Sequence, residues 1–214
     1  MQTAILLYPA LTALDAIGPY DVLSRIPDMD VVFVARETGE YRTDQGSLGL
    51  IADAAFADVT APDVLVVPGG FGTRLLMNDR DHLDWIRHVH ATTTWTTSVC
   101  TGSLLLGATG LLEGLDATTH WASYDALAST GALPTAERVV QQGKIITAAG
   151  VSSGIDMALQ LCAHLAGDDV ARAIQLSIEY DPQPPFDCGS PAKAPEELVA
   201  LLRQITDEKQ AAYI

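Results

Sequence analysis

Short apolar runs alternate with segments of helical periodicity from one end of the chain to the other. That alternation predicts a parallel sheet whose strands are covered on both faces by helices. Residues 4–8 form the first apolar run, and 30–35, rich in Val and Phe, form the second. Between them, 15–24 reads as a short helix opened by Asp15, with Gly18-Pro19 in its first turn. Residues 42–53 place Gly46 and Gly49 among alternating apolar positions, the pattern of a hairpin or an edge element. Residues 64–67 are uninterrupted apolar residues, as in a central strand, and they lead directly into Pro68-Gly69-Gly70-Phe71-Gly72. Glycines there permit positive φ and close approach of the backbone to a ligand, which suits a loop at the carboxyl end of a strand. An amphipathic helix follows over 79–90, with Leu83, Ile86 and Val89 on one side.

The next strand, 95–99, ends at Cys100, and 101–109 reads as the helix behind it. Beyond Gly114 the pattern weakens. Residues 117–121 form a short strand or turn and 121–129 a helix, while 139–141 and 145–148 flank Gln142-Gly143 as a hairpin. Residues 149–154 lead into an apolar helix over 155–166, and Asp168 starts another. The Pro-rich stretch 182–186 breaks regular structure before a terminal helix over 195–210. No repeat, low-complexity tract or linker divides the chain, so one domain is expected over 1–214.

Composition narrows the function. A hydrophobic content of 48% with 18% charged residues belongs to an ordered globule. A formal net charge of -15 repels phosphate backbones, which argues against nucleic-acid binding. Three widely separated cysteines do not make a disulfide framework and fit a reducing compartment. The first apolar run has no basic residues ahead of it and is too short to span a membrane, so a cytoplasmic location is expected.

Cys100 is the leading candidate for chemistry. At a strand-to-helix turn, a nucleophile is held in a strained backbone conformation with its side chain presented at the carboxyl edge of the sheet. The helix N-terminus behind it is expected to lower the thiol pKa. Cys162 falls among Met157, Leu159, Leu161 and Leu165 and reads as core, and Cys188 reads as a loop thiol. Asp15 has two readings. It caps the first helix, or it lies beside Cys100 at the same sheet edge and serves as a general acid and base. The Thr101 amide is placed to form half of an oxyanion site, with Gly70 supplying the other half, and the Thr101 hydroxyl can hold water or substrate. The loops at Gly70 and Gly150 are the candidate walls of an apolar substrate pocket. His120 is the alternative base, although a lone histidine beside Trp121 also serves structure alone. No His/Cys/Asp spacing suits a metal.

Four segments together resemble the DJ-1/PfpI superfamily, in that family's order: Leu14-Asp15-Ala16-Ile17-Gly18-Pro19-Tyr20-Asp21-Val22-Leu23, Val67-Pro68-Gly69-Gly70-Phe71-Gly72, Ser98-Val99-Cys100-Thr101-Gly102 and Ala117-Thr118-Thr119-His120-Trp121. Within it, these segments and Glu179-Tyr180-Asp181-Pro182-Gln183-Pro184-Pro185-Phe186-Asp187 are most similar to the isocyanide (isonitrile) hydratase branch. The resemblance implies a flavodoxin-like three-layer α/β sandwich with a mostly parallel sheet and a cysteine elbow. It further implies a homodimer without metal or organic cofactor that hydrates an isocyanide to an N-substituted formamide. Cys100 would be the nucleophile and Asp15 the acid and base. The intracellular-peptidase branch has His directly after its cysteine where this chain has Thr101, and DJ-1 has Glu in the early loop where this chain has Asp15. Both departures weigh against those branches. Two rivals remain, a stand-alone redox or stress sensor and a glyoxalase or deglycase. Regulators with a similar amino-terminal half append a helix-turn-helix region, which the sequence up to Ile214 does not contain.

Overall fold

A computed structural model describes every residue except 212 and 214. Its frame is laid down by β1 (Gln2–Leu6), α1 (Ala13–Leu23), β2 (Asp30–Ala35), the hairpin β3 (Gly39–Arg42) and β4 (Gly49–Ala52), the short β5 (Ala54–Ala55) and β6 (Val64–Val67). The chain continues through α2 (Thr73–Leu76), α3 (Arg80–Thr92), β7 (Trp95–Val99) and α4 (Gly102–Ala108). It then passes β8 (Asp116–Ala117), a 3-10 turn at Trp121–Ser123, α5 (Tyr124–Ala128) and β9 (Leu133–Pro134). The last elements are β10 (Val139–Gln142), β11 (Ile145–Ala148), α6 (Ser153–Ala166), α7 (Asp168–Ser177) and α8 (Glu196–Ala211).

Seven strands form one sheet in the order β10-β11-β7-β6-β1-β2-β5. Every neighbouring pair is parallel except β10 with β11. The three central strands β1, β6 and β7 are almost wholly buried, which is why their sequences are apolar runs or small β-branched residues and not alternating patterns. The helices pack in two groups, α1 with α6 and α7, and α2 to α5 with one another, and sandwich the sheet. A continuous apolar core runs through both layers from Ala4 to Ile174.

Some boundaries move. The first helix starts at Ala13, with Thr12 as its N-cap, so Asp15 lies within the first turn, and Gly18-Pro19 lies in the middle of the helix. The hairpin begins at Gly39, earlier than its glycines suggest, because the β3 positions Glu40 and Arg42 are solvent-exposed and carry no apolar alternation. The 121–129 helix divides into the 3-10 turn and α5. α8 has no buried residue.

Candidate active site

Three loops meet where the chain leaves β1, β6 and β7, at the carboxyl edge of the parallel strands. At the end of β7 the Cys100 amide donates to the Ala148 carbonyl at 2.9 Å and to Ala149 at 3.2 Å, holding the residue at φ 57 before the chain turns into α4. A non-glycine residue in this left-handed region costs on the order of 1 kcal/mol or more, and the surrounding hydrogen bonds offset that cost. The thiol side chain is thereby fixed at the floor of a cleft of about 210 Å³.

Asp15 reaches the same point from the first turn of α1. It is fully buried, and its Oδ2 accepts the Gly69 N–H at 3.0 Å while Oδ1 has no hydrogen-bond partner. It does not cap its helix. Burial, reinforced by Asp44, pushes its carboxyl from 3.8 up to about 8, against the opposing pull of the Gly69 amide and the Cys100 thiol. The carboxyl therefore keeps its proton at neutral pH. The Cys100 thiol is also raised, first by burial and then by Asp15, with the Thr101 amide pulling the other way. The expectation of a thiol lowered by its helix is thus reversed. α4 has only seven residues, and desolvation outweighs its N-terminus. Carboxyl and thiol behave as one coupled unit, and its first proton to leave exposes a single negative charge shared between oxygen and sulfur.

Thr101 binds the loops together. Its Oγ1 accepts the Gly70 N–H at 2.8 Å and donates to the Gly70 carbonyl at 3.1 Å. The Gly70 amide, expected to face an oxyanion, is thus spent on this hydroxyl. Gly69 must be glycine for these groups to converge: a Cβ there would stand 2.5 Å from the Thr101 amide nitrogen and 2.9 Å from Asp15 Oδ2. Gly150 plays a similar part on the other wall, where a Cβ would stand 2.5 Å from His120 Cδ2 and 3.3 Å from Cys100 Sγ.

His120 lines the cleft without a hydrogen bond to the thiol. Burial lowers its pKa, and Nδ1 accepts the Ala122 N–H at 3.3 Å, so the neutral ring carries its proton on Nε2 and lacks a free basic nitrogen. Among the described residues no group of three or more His, Cys, Asp or Glu is arranged to hold a metal ion. Cys162 is buried in α6, and Cys188 sits in the loop before α8.

The sequence did not point to several residues that the fold adds. Tyr8, wholly buried at the end of the first strand run, donates to the Pro68 carbonyl at 2.6 Å, and burial together with Asp15, Cys100 and Asp44 keeps its hydroxyl protonated. Asp44, from the β3–β4 turn, accepts the Thr12 hydroxyl at 2.8 Å and lines the cleft. Arg74, from α2, and Thr206 and Gln210, from α8, complete the wall.

Comparison with known proteins agrees with this fold. The DJ-1/PfpI family profile matches residues 1–164. An isonitrile hydratase from Pseudomonas putida is 47% identical over 204 residues, covering 95% of this chain and 89% of its own length. A regulator from Pseudomonas aeruginosa, the HTH-type transcriptional regulator CdhR, is 30% identical across 60% of this chain and 38% of its own length. A crystal structure of a ThiJ/PfpI family protein from Pseudomonas syringae superposes with a TM-score of 0.93 at 37% identity, over 98% of this chain and 87% of that one.

Proposed function

The chain belongs to the DJ-1/PfpI family, and from that premise we propose that it hydrates isocyanides to N-substituted formamides, with Cys100 as nucleophile and Asp15 as acid and base. The observation that carries the mechanism is the pairing of a strained thiol with a buried, protonated carboxyl in one cleft. The likeness to an isonitrile hydratase over nearly the full length supports the substrate.

An isocyano carbon is electrophilic and carries a lone pair. In the singly ionised Cys100–Asp15 pair the sulfur, having passed its proton to the Asp15 carboxylate, forms a bond to that carbon, and the carbon takes the proton back from the Asp15 carboxyl. The net step adds S–H across the carbon and leaves a thioimidate, R–N=CH–S–Cys100. Water then adds to the thioimidate carbon while the Asp15 carboxylate accepts one water proton and returns it to the nitrogen. Collapse of R–NH–CH(OH)–S breaks the C–S bond, the hydroxyl proton passes to the departing thiolate, and R–NH–CHO leaves. Thr101 Oγ1, held by both polar groups of Gly70 and lining the cleft with Cys100, is the group that positions the water. The Thr101 amide faces the charge that develops on sulfur. Gly150 acts by leaving room for substrate beside Cys100 Sγ, and Gly70 by letting its loop pack against the backbone of residues 10–12.

The same proposal includes one domain over 1–214, a homodimer and a reducing, cytoplasmic setting. The continuous core supports the first, and apolar side chains left exposed on α7 and α8, such as Leu176 and Leu201, support the second. No described helix is long and apolar enough to cross a membrane. The test is turnover. Purified protein mixed with an excess of a simple alkyl isocyanide should release many equivalents of formamide per chain. Conversion of methylglyoxal instead, or a single equivalent of isocyanide consumed per thiol, would reject the assignment.

A further inference from the structure

The cleft holds a charge that hydration itself does not use. Arg74 extends from α2 into the cleft wall, half-buried, where its Nη2 donates to Gln210 Oε1 at 2.9 Å and to Ser123 Oγ at 3.4 Å. Both partners are neutral. Six other arginines, 25, 36, 42, 87, 138 and 172, pair with carboxylates. Arg74 makes no such pair among the described residues, nor do Arg80 and Arg203, but of these three only Arg74 lines the cleft, where Asp207 acts on it from beyond ion-pair contact. The other charged group that is free to face the cleft, Asp44, is engaged by the Thr12 hydroxyl. A guanidinium withdrawn from water without an anion is unfavourable unless a ligand supplies one. Its planar fork fits a carboxylate in bidentate fashion.

With the isocyano carbon at Cys100 Sγ, the organic group of a substrate must lie along the rest of the lining, which includes Arg74, Ser123, Thr206 and Gln210. We propose that the preferred substrates are isocyanides bearing a carboxylate, selected by Arg74, with Gln210 of α8 as its positioning residue. The inference rests on the hydratase reading and adds the substrate class to it. The chain as a whole, at -15, repels anions, so a dedicated local cation is what an anionic substrate would require. Arg74 lies within residues 1–164 matched by the family profile and Gln210 beyond them, so the α8 segment positions a guanidinium that the profile-matched part supplies.

The test compares isocyanoacetate with its methyl ester, measuring kcat and KM for formamide release with the intact protein, Arg74→Gln, Arg74→Lys and Gln210→Ala. The native protein should favour the carboxylate. In Arg74→Gln the carboxylate-to-ester ratio of kcat/KM should fall roughly ten- to hundred-fold, the range of a charge-assisted hydrogen bond, mainly through KM. Arg74→Lys should recover part of the ratio, and Gln210→Ala should lose part of it. Far-UV circular dichroism reports whether each variant is folded, and Arg74→Lys and Gln210→Ala decide the matter if Arg74→Gln does not fold. An ester hydrated as well as the carboxylate by the native protein, or a ratio indifferent to Arg74, overturns the substrate class while the hydratase reading stands. Hydration of neither compound would overturn both.

Discussion

Replacing Asp15 by Asn keeps the shape of the side chain and an oxygen for the Gly69 amide but removes the ionisation that burial opposes. In the folded protein this carboxyl is pushed from 3.8 up to about 8. A folded-state value above the unfolded one means that the unfolded chain gives up the proton first. Asp15 therefore costs nothing below about pH 4, and its penalty grows as pH rises toward about 8. Across the three units from pH 5 to pH 8, at about 1.36 kcal/mol per unit, the native protein should lose about 4 kcal/mol of stability relative to Asp15→Asn. Urea unfolding of both proteins at pH 5, 6, 7 and 8, followed by far-UV circular dichroism, measures that difference. The variant should gain on the native protein steadily with pH while losing activity. A stability difference that stays flat over this window would show an Asp15 that ionises normally, and the proton assigned to it would have no basis.

Further predictions concern the same cleft. The reactive species is the singly ionised Cys100–Asp15 pair, so kcat/KM for a neutral isocyanide should rise about tenfold per pH unit below about pH 8 and then level off; a flat acid limb from pH 5 to 8 would contradict this. Gly69→Ala forces a Cβ against the Thr101 amide nitrogen at 2.5 Å, and overpacking at backbone should cost about 1–3 kcal/mol in a denaturant melt and lower turnover as well. Thr101→Val leaves the Gly70 N–H without its acceptor, which should cost about 1–3 kcal/mol in the same measurement and slow hydrolysis of the covalent intermediate.

Much of the sheet was legible because parallel, doubly covered strands are apolar throughout: residues 4–8, 30–35, 64–67 and 145–148 announce themselves by composition alone. The elbow at Cys100 was legible for a similar reason, since a lone thiol between a strand pattern and a helix pattern has few structural uses. The hairpin's opening at Gly39 was not legible because a surface strand with Glu40 and Arg42 exposed buries too little to impose a period. The start of α1 was misplaced because Asp15 resembles a cap, whereas its side chain turns inward to the Gly69 amide. The direction of the thiol shift was misread because burial is a tertiary property, and it outweighs a short helix. Arg74, Thr206 and Gln210 carry no local signal. They meet only when α2 and α8, separated by more than half the chain, come together over the cleft.

The most direct test of the account is mass spectrometry of the intact protein quenched during turnover of an alkyl isocyanide, alongside Cys100→Ala and Asp15→Asn. A transient gain equal to the mass of one isocyanide is expected, mapped to the peptide containing Cys100, with formamide released over many cycles. Cys100→Ala should show neither adduct nor product. Formamide production by Cys100→Ala, or an adduct carried on another residue during turnover, would contradict it.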